Sequence, residues 1–353
     1  VTYYDKCTRD QIVESELSYL SNYQRVIINS GKISNKGWEI SVSGVPVKVK
    51  NFEWKTIFNW SKNNSMVESL PEGIDKIQIG SGVYNVKSYA EVGKPYGAIY
   101  AKTFKRDAEG YILCQLDGSP KEGQDYEYLG CVQADWRGGW NNVFRLGNFS
   151  FSVMFDFQKG GKFFSQTSIQ SSVDGQSVKS LEGRDADFFS RKILGESDEE
   201  RYGFMRPQNA NTPTANGQIY PDWGRPKGVV LPNCRYDEDV EGLAGQQVLG
   251  YCTPERYWMH YTSRDISRFI YDASYVKLRE ITVSYDLPKK WLRKTPFQTF
   301  RVAAVGRNIA TLFANTPHGL DPQATSTTGN AQGFERGFNL PSATYGFDIK
   351  VSF

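Results

Sequence analysis

The 353-residue chain contains no run of 18 or more apolar residues, so no transmembrane helix can be drawn in it. A closed β-barrel stays open as a possibility, because it too pairs every backbone N–H and C=O within the protein. Histidine is scarce, with only His260 and His318, and none of the five cysteines stands in a CxxC pair. That spacing speaks against a zinc site or a Cys/His dyad. GxSxG, HExxH, P-loop and GxGxxG motifs are missing as well, so neither a cofactor nor an enzyme activity is expected. Charge of one sign is not in excess. The 42 Lys and Arg and 39 Asp and Glu leave a net +3, evenly mixed, which argues against nucleic acid as a partner. The chain starts Val1-Thr2-Tyr3-Tyr4 without an initiator Met, signal peptide or lipidation motif, and it reads as processed or as a piece of something longer.

Rings, by contrast, are abundant. The 21 Tyr, 21 Phe and 8 Trp make 14% of residues, yet the hydrophobic total is 39% and the mean hydropathy is −0.52. A barrel with lipid on one side and water on the other needs this mixture, and a secreted Tyr-rich β-sandwich would share it. Period-2 alternation recurs along the chain. Phe149, Phe151, Val153, Phe155 and Phe157 alternate with Ser150, Ser152, Met154, Asp156 and Gln158. Phe52, Trp54, Phe58 and Trp60 oppose Glu53, Lys55, Asn59 and Ser61, and Trp38, Ile40 and Val42 oppose Glu39, Ser41 and Ser43. At the end, Tyr345, Phe347, Ile349, Val351 and Phe353 share a face against Gly346, Asp348, Lys350 and Ser352. Successive side chains of a strand point to opposite faces, so each segment has one apolar and one polar wall.

The patterning predicts strands over 1–13, 32–45, 52–66, 142–158, 161–171, 271–287, 297–313 and 340–353. The connections at 46–51, 159–160 and 288–296 are short, with Pro46, Gly160, Pro288 and Pro296 as turn-formers. Those at 14–31, 67–141, 172–270 and 314–339 are long. Short and long alternate, as periplasmic turns and external loops do in outer-membrane barrels, whereas a soluble domain with such loops would be unusual. The fold class expected is therefore all-β, an antiparallel transmembrane β-barrel wall, with Phe347, Ile349 and Val351 facing lipid. Within 67–141, residues 97–104 and 111–113 read as a hairpin around Asp107–Gly110, outside the wall, and a short helix is expected near Pro254–Tyr261.

Several residues invite a local reading. Cys114 with Cys131, and Cys234 with Cys252, are spaced for loop disulfides in an oxidising compartment, leaving Cys7 alone; buried thiols are the alternative. Asp198-Glu199-Glu200 and Asp237-Glu238-Asp239 with Glu241 could offer oxygen ligands to calcium, but without EF-hand spacing they read as solvated charge. Trp136 and Trp140, in Trp136-Arg137-Gly138-Gly139-Trp140, could stack on a sugar or anchor the rim as part of an aromatic girdle.

Beyond patterning, motifs in collinear order resemble one family. Gly31–Ile40, containing Asn35-Lys36-Gly37-Trp38-Glu39, is similar to a signature of TonB-dependent transporters, and Pro46-Val47 with Phe52-Glu53-Trp54 to the hairpin that follows it. Val92-Gly93-Lys94-Pro95-Tyr96-Gly97, Ala273–Glu280 leading to Tyr285-Asp286-Leu287-Pro288, Gly306-Arg307-Asn308-Ile309, Leu320-Asp321-Pro322 and Leu340-Pro341 continue the likeness to Val351-Ser352-Phe353. These resemble the SusC/RagA-like proteins. The resemblance implies the C-terminal part of a 22-stranded barrel filled by a plug. Plug, TonB box and earlier strands would lie outside this chain. It further implies an outer-membrane location, import energised through TonB, a SusD-like lipoprotein lid, and an oligosaccharide or peptide cargo. Phe353, with Val351, Ile349 and Phe347, resembles the signal read by the barrel-assembly machinery. A small autonomous barrel closed on itself is the other arrangement of the same strands; it would pair the strand ending at Phe353 with residues 1–13.

Overall fold

The structure is a computed structural model that describes residues 1–10, 12–16, 25–29, 31–116, 118–181, 229–252, 256–317, 319–324, 332–337 and 342–353. Eight strands make one antiparallel sheet in sequence order: β1 (Thr2–Arg9), β2 (Lys32–Val49), β3 (Phe52–Ser69), β4 (Trp136–Leu146), β5 (Phe149–Lys159), β6 (Tyr275–Asp286), β7 (Thr299–Ala314) and β8 (Thr344–Ser352). Every strand pairs with its neighbour along the chain. Among the described residues β1 pairs only with β2, and β8 only with β7, so the sheet has two open edges. Phe353 is not joined to residues 1–13.

The register puts like with like. Trp54, Phe144, Phe151, Val283, Ala304 and Phe347 stand in one row across β3 to β8. The next row, one residue along each strand, is Glu53, Arg145, Ser150, Ser284, Ala303 and Asp348, on the opposite face. Rings of the apolar row stack across strands, with centroids 5.9 Å apart for Trp54–Phe144 and 6.1 Å for Phe144–Phe151. Polar groups on this face serve the indoles: Trp54 Nε1 donates to Asn142 Oδ1 at 3.0 Å, and Trp140 Nε1 to Thr56 Oγ1 at 2.9 Å.

Among the described residues no second sheet covers that face. Phe347 is 86% exposed, Ile349 63%, Leu146 61% and Phe149 57%. In a β-sandwich these side chains would form the core between two sheets. Instead the large, fully buried side chains, such as Phe104, Phe163, Phe164, Tyr257, Phe269 and Phe334, belong to the long connections, with Val67 of β3 the exception. One such core gathers Phe104, Ile112, Val229, Val248 and Tyr257, and another Val86, Ile99, Phe164, Ile169, Ile266 and Phe334. An apolar patch this extensive marks contact with something other than water.

Two strand expectations are corrected. The predicted strand 142–158 is two strands, β4 and β5, reversing at Gly147-Asn148, where Gly147 takes φ +56°. The predicted strand 161–171 is not wall: Lys162–Ser165 is a short strand in a separate sheet, and Ser165 then caps a helix over Gln166–Val173 by accepting from the Ser168 N–H. Eight strands result either way because one was merged and one was extra. Pro46 lies inside β2, where the register shifts between Gly44 and Val47, and not in the turn. Short connections therefore fall at 50–51, 147–148 and 287–298, and long ones at 10–31, 70–135, 160–274 and 315–343. The reversal at Asp107–Gly110 is present, with Asp107 N–H bonded to Tyr111 O at 3.0 Å, but Ala98–Ala101 pairs with Lys87–Glu91 and Glu127–Cys131 instead of with 111–113. Helix occurs at Tyr257–Tyr261, within the region expected.

Candidate functional site

Residues from three of the quoted motifs meet on the polar face of β5, β6 and β7, near the ends that lead into the long loops. β6 presents Tyr275, Lys277 and Arg279. The loop after β7 returns over them with Asp321 and Gln323. Lys277, 4% exposed, donates to Asp321 Oδ1 and Oδ2 at 2.5 and 2.6 Å and to Gln323 Oε1 at 3.0 Å. Arg279 clasps Asp156 Oδ2 through Nε at 2.9 Å and Nη2 at 2.7 Å, and also donates to Gln323 Oε1. Its Nη1 reaches Asn308 Oδ1 at 2.8 Å. Tyr275 donates to Asp156 Oδ2 at 3.2 Å and accepts from Gln323 Nε2 at 2.5 Å.

The backbone explains why these side chains reach one another. Glu280 pairs with Arg307 and Leu278 with Ala310, so β7 carries a bulge there. Asn308 sits in it with φ +50°, a conformation asparagine tolerates better than most residues, and the twist turns its amide toward Arg279. Asp321 accepts from the Gln323 N–H at 2.7 Å, a local turn that points its carboxylate back at Lys277. In the Asn35-Lys36-Gly37 motif, glycine makes room: a Cβ at Gly37 would lie 2.4 Å from the Tyr4 ring, which crosses from β1.

Two cavities flank this network. One, of about 350 Å³, is lined by Arg137, Asp156, Gln158, Lys162, Tyr275 and Gln323, among others. The other, of about 440 Å³, is lined by Ser61, Asn63, Tyr96, Gln133, Arg137 and Gln332, among others. Arg137 borders both, and its Nε donates to Gln158 Oε1 at 3.0 Å. The walls offer hydrogen-bond donors and acceptors of both kinds, suited to a polar solute with many amide or hydroxyl groups.

The other candidate residues are dispersed. Trp140 stands on the apolar face, its ring 6.0 Å from Phe155, with Trp136 four residues away on the same strand. Phe347 and Ile349 are exposed on β8, and Phe353 packs on Phe297 at 5.3 Å. The expected cysteine pairs are corrected: Cys114 and Cys131 are not joined, nor are Cys234 and Cys252. Cys131 faces Tyr96 O at 3.5 Å and the Gln133 N–H at 3.4 Å, in a different sheet from Cys114, and burial pushes its thiol up. Cys234 is directed at Leu231 O, 3.2 Å away, and at Cys114.

Asp237 is buried and held by Lys105 at 2.9 Å and Lys121 at 2.7 Å, so this acidic run is not simply solvated; Asp198–Glu200 lies outside the described residues. Burial opposes the Asp237 charge, but the hydrogen bonds from Lys121 and Lys105 outweigh it and bring the carboxyl down to about 2.

No family model matches the chain. Among curated proteins it is 24% identical over 365 aligned positions to TonB-dependent receptor P3 of Formosa agariphila, covering 97% of the chain and 30% of the receptor. TonB-dependent receptor P39 of the same organism is 21% identical over 210 positions, 46% of the chain and 20% of the receptor. The chain thus spans about a third or less of the length of these relatives. Among solved structures, the RagAB peptide transporter superposes over 99% of the chain and 33% of its own, with TM-score 0.58 and 15% identity. The RagAB peptide importer in its open-open state gives 0.56 at 16% identity, over 99% and 32%. These are named as receptors and transporters. Over nearly its whole length the chain is thus similar in sequence to a TonB-dependent receptor, and it shares its fold with part of the RagAB peptide transporter.

Proposed function

We propose that residues 1–353 are wall and external loops of a multi-pass outer-membrane β-barrel that imports a nutrient in a TonB-dependent manner. The observation that carries this is the sheet whose apolar face is bare and whose two edges are open among the described residues. Unpaired backbone groups facing lipid cost several kcal/mol each, so strands from the remainder of the same transporter complete the wall on both sides. The apolar rows then face outer-membrane lipid. The network around Lys277 and Arg279 faces the lumen, and the long connections 70–135, 160–274 and 315–343 lead outside.

A SusD-like surface lipoprotein is the partner of those loops, and TonB acts through parts of the transporter beyond this chain. Phe353, with Val351, Ile349 and Phe347, is the strand end offered to the barrel-assembly machinery. The cargo is an oligosaccharide or a peptide. The RagAB neighbours are named as peptide importers, which favours a peptide, and the amide-compatible cavities beside Arg137 suit one.

Uptake of labelled oligopeptides and oligosaccharides by cells carrying the full transporter tests this. One class should accumulate, and a protonophore should abolish its accumulation. Uptake of neither class, or uptake indifferent to the protonophore, would contradict the proposal.

A further inference from the structure

We infer that Cys114 and Cys234 form a disulfide that locks the segment around Ile112–Cys114 onto the hairpin Val229–Tyr236/Gln247–Cys252. The two cysteines are 120 positions apart in sequence, in different long connections, and adjacent in space. Ile112–Cys114 runs parallel to Val229–Tyr236, with Cys234 opposite Ile112 and Tyr236 opposite Cys114. Both sulfurs converge over Gly250 of the antiparallel partner strand. A Cβ placed on Gly250 would lie 2.7 Å from Cys234 Sγ and 3.3 Å from Cys114 Sγ. Any side chain larger than hydrogen at 250 would drive the sulfurs apart, so this glycine is what permits their approach.

The remaining cysteines are placed differently. Cys252 stands opposite Val229, farther along the hairpin, and Cys131 is in another sheet, bonded to Tyr96 O and the Gln133 N–H. Cys114 and Cys234 are 0% and 1% exposed, and the Cys234 thiol, which hydrogen-bonds with Cys114, is thereby held below its ordinary value although burial opposes this.

The same seam carries two further ties between the same segments. Asp237 joins Lys105 and Lys121, and Arg235 pairs with Asp107 at 3.0 Å and with Glu109. A covalent link at this point would close the seam between them.

The chemistry requires an external oxidant, here a disulfide R–S–S–R of a thiol–disulfide exchange protein in an oxidising compartment. Cys234 thiolate attacks one sulfur of R–S–S–R, forming a mixed disulfide and releasing one thiolate. Cys114 thiolate then attacks Cys234 Sγ and releases the second. The two thiol protons end on the leaving thiolates, so two Cys–SH and R–S–S–R give Cys–S–S–Cys and two R–SH. Because both sulfurs are buried in the finished core, the exchange precedes closure of that core. From the proposed function this inference takes only that these loops mature outside the cytoplasm.

The test is peptide mapping of the full-length protein, isolated from the cells that express it and blocked with N-ethylmaleimide in denaturant before any reductant. The Cys114 peptide should be found linked to the Cys234 peptide, with maleimide on Cys131 and Cys252. In the Cys114→Ser variant, Cys234 should become maleimide-labelled. Maleimide on both Cys114 and Cys234 of the unsubstituted protein, or a link from either to another cysteine, would overturn the inference. The membrane fraction in which the protein is found bears separately on the proposed function, and the state of the two sulfurs decides this one wherever it is found.

Discussion

Three consecutive residues of β6 give opposite expectations for the same substitution. Ile281 and Val283 lie on the apolar face, opposite Val153 and Phe151 of β5, and Thr282 between them lies on the polar face opposite Ser152. Ile281 is near the middle of the strand span, and Val283 is two residues, about 7 Å, nearer the short-turn end. A lysine facing lipid costs roughly 2–4 kcal/mol at the midplane and about 0–1 near the interface. Ile281→Lys should therefore destabilise the full transporter by about 2–4 kcal/mol, Val283→Lys by less, and Thr282→Lys by under about 0.5 kcal/mol. Were the sheet's apolar face bathed in water, Val283, already 47% exposed, would accept lysine at almost no cost. Denaturant-dependent folding of the three variants into phospholipid bilayers, followed by heat-modifiable migration on a gel, measures the order. A neutral Ile281→Lys beside a damaging Thr282→Lys would refute the assignment of faces.

Two further outcomes follow from ion pairs in and above the wall. The Asp237 carboxyl is held near 2 against an ordinary 3.8, so its stabilisation is complete above about pH 4 and is lost as pH falls through 2. The shift corresponds to about 2 kcal/mol, reduced to about 1–2 because the Lys105 partner is 45% exposed; amide protection at 112–114 and 234–236, exchange relative to the unstructured rate at the same pH, should fall over that window in the wild type, while in Asp237→Asn it should be low already at pH 5 and change little on acidification. Exchange in Asp237→Asn as slow as in the wild type at pH 5 would contradict the role of the clamp. Asp321→Asn leaves Lys277 buried with its neutral partners and should loosen residues 319–324 by about 2 kcal/mol, roughly thirtyfold in local opening measured by the same method. Unchanged exchange there would mean that the loop is held by something other than this pair.

Much of the wall is legible in the sequence because the strand period is written in large side chains. The alternation at 52–61 and 345–353 marks β3 and β8 directly. It fails at 142–158 because the reversal occupies only Gly147-Asn148, and Phe144 and Leu146 before it and Phe149 and Phe151 after it keep the alternation with a phase change of one residue. Phe163 and Phe164 look like wall at 161–171, yet Phe164 is buried against loop residues such as Ile169 and Phe334, and the Phe163 ring lies beside Tyr271. Lys277, Arg279, Asn308 and Asp321 stand in motifs visible in the sequence, but their convergence depends on the bulge at Asn308 and the return of the loop, which no spacing encodes. The cysteines show the same limit. Intervals within one loop point to partners nearby in sequence, whereas Cys114 meets Cys234 through a parallel pairing between two different connections.

Spin labels placed singly at 281, 282, 283, 347, 348 and 349 of the full-length protein in bilayers distinguish lipid from water most directly, by their accessibility to oxygen and to a water-soluble nickel chelate. Positions 281, 283, 347 and 349 should favour oxygen, and 282 and 348 the nickel chelate, in strict alternation along β6 and β8. Nickel accessibility at all six positions, or no alternation between them, would contradict a membrane-spanning wall.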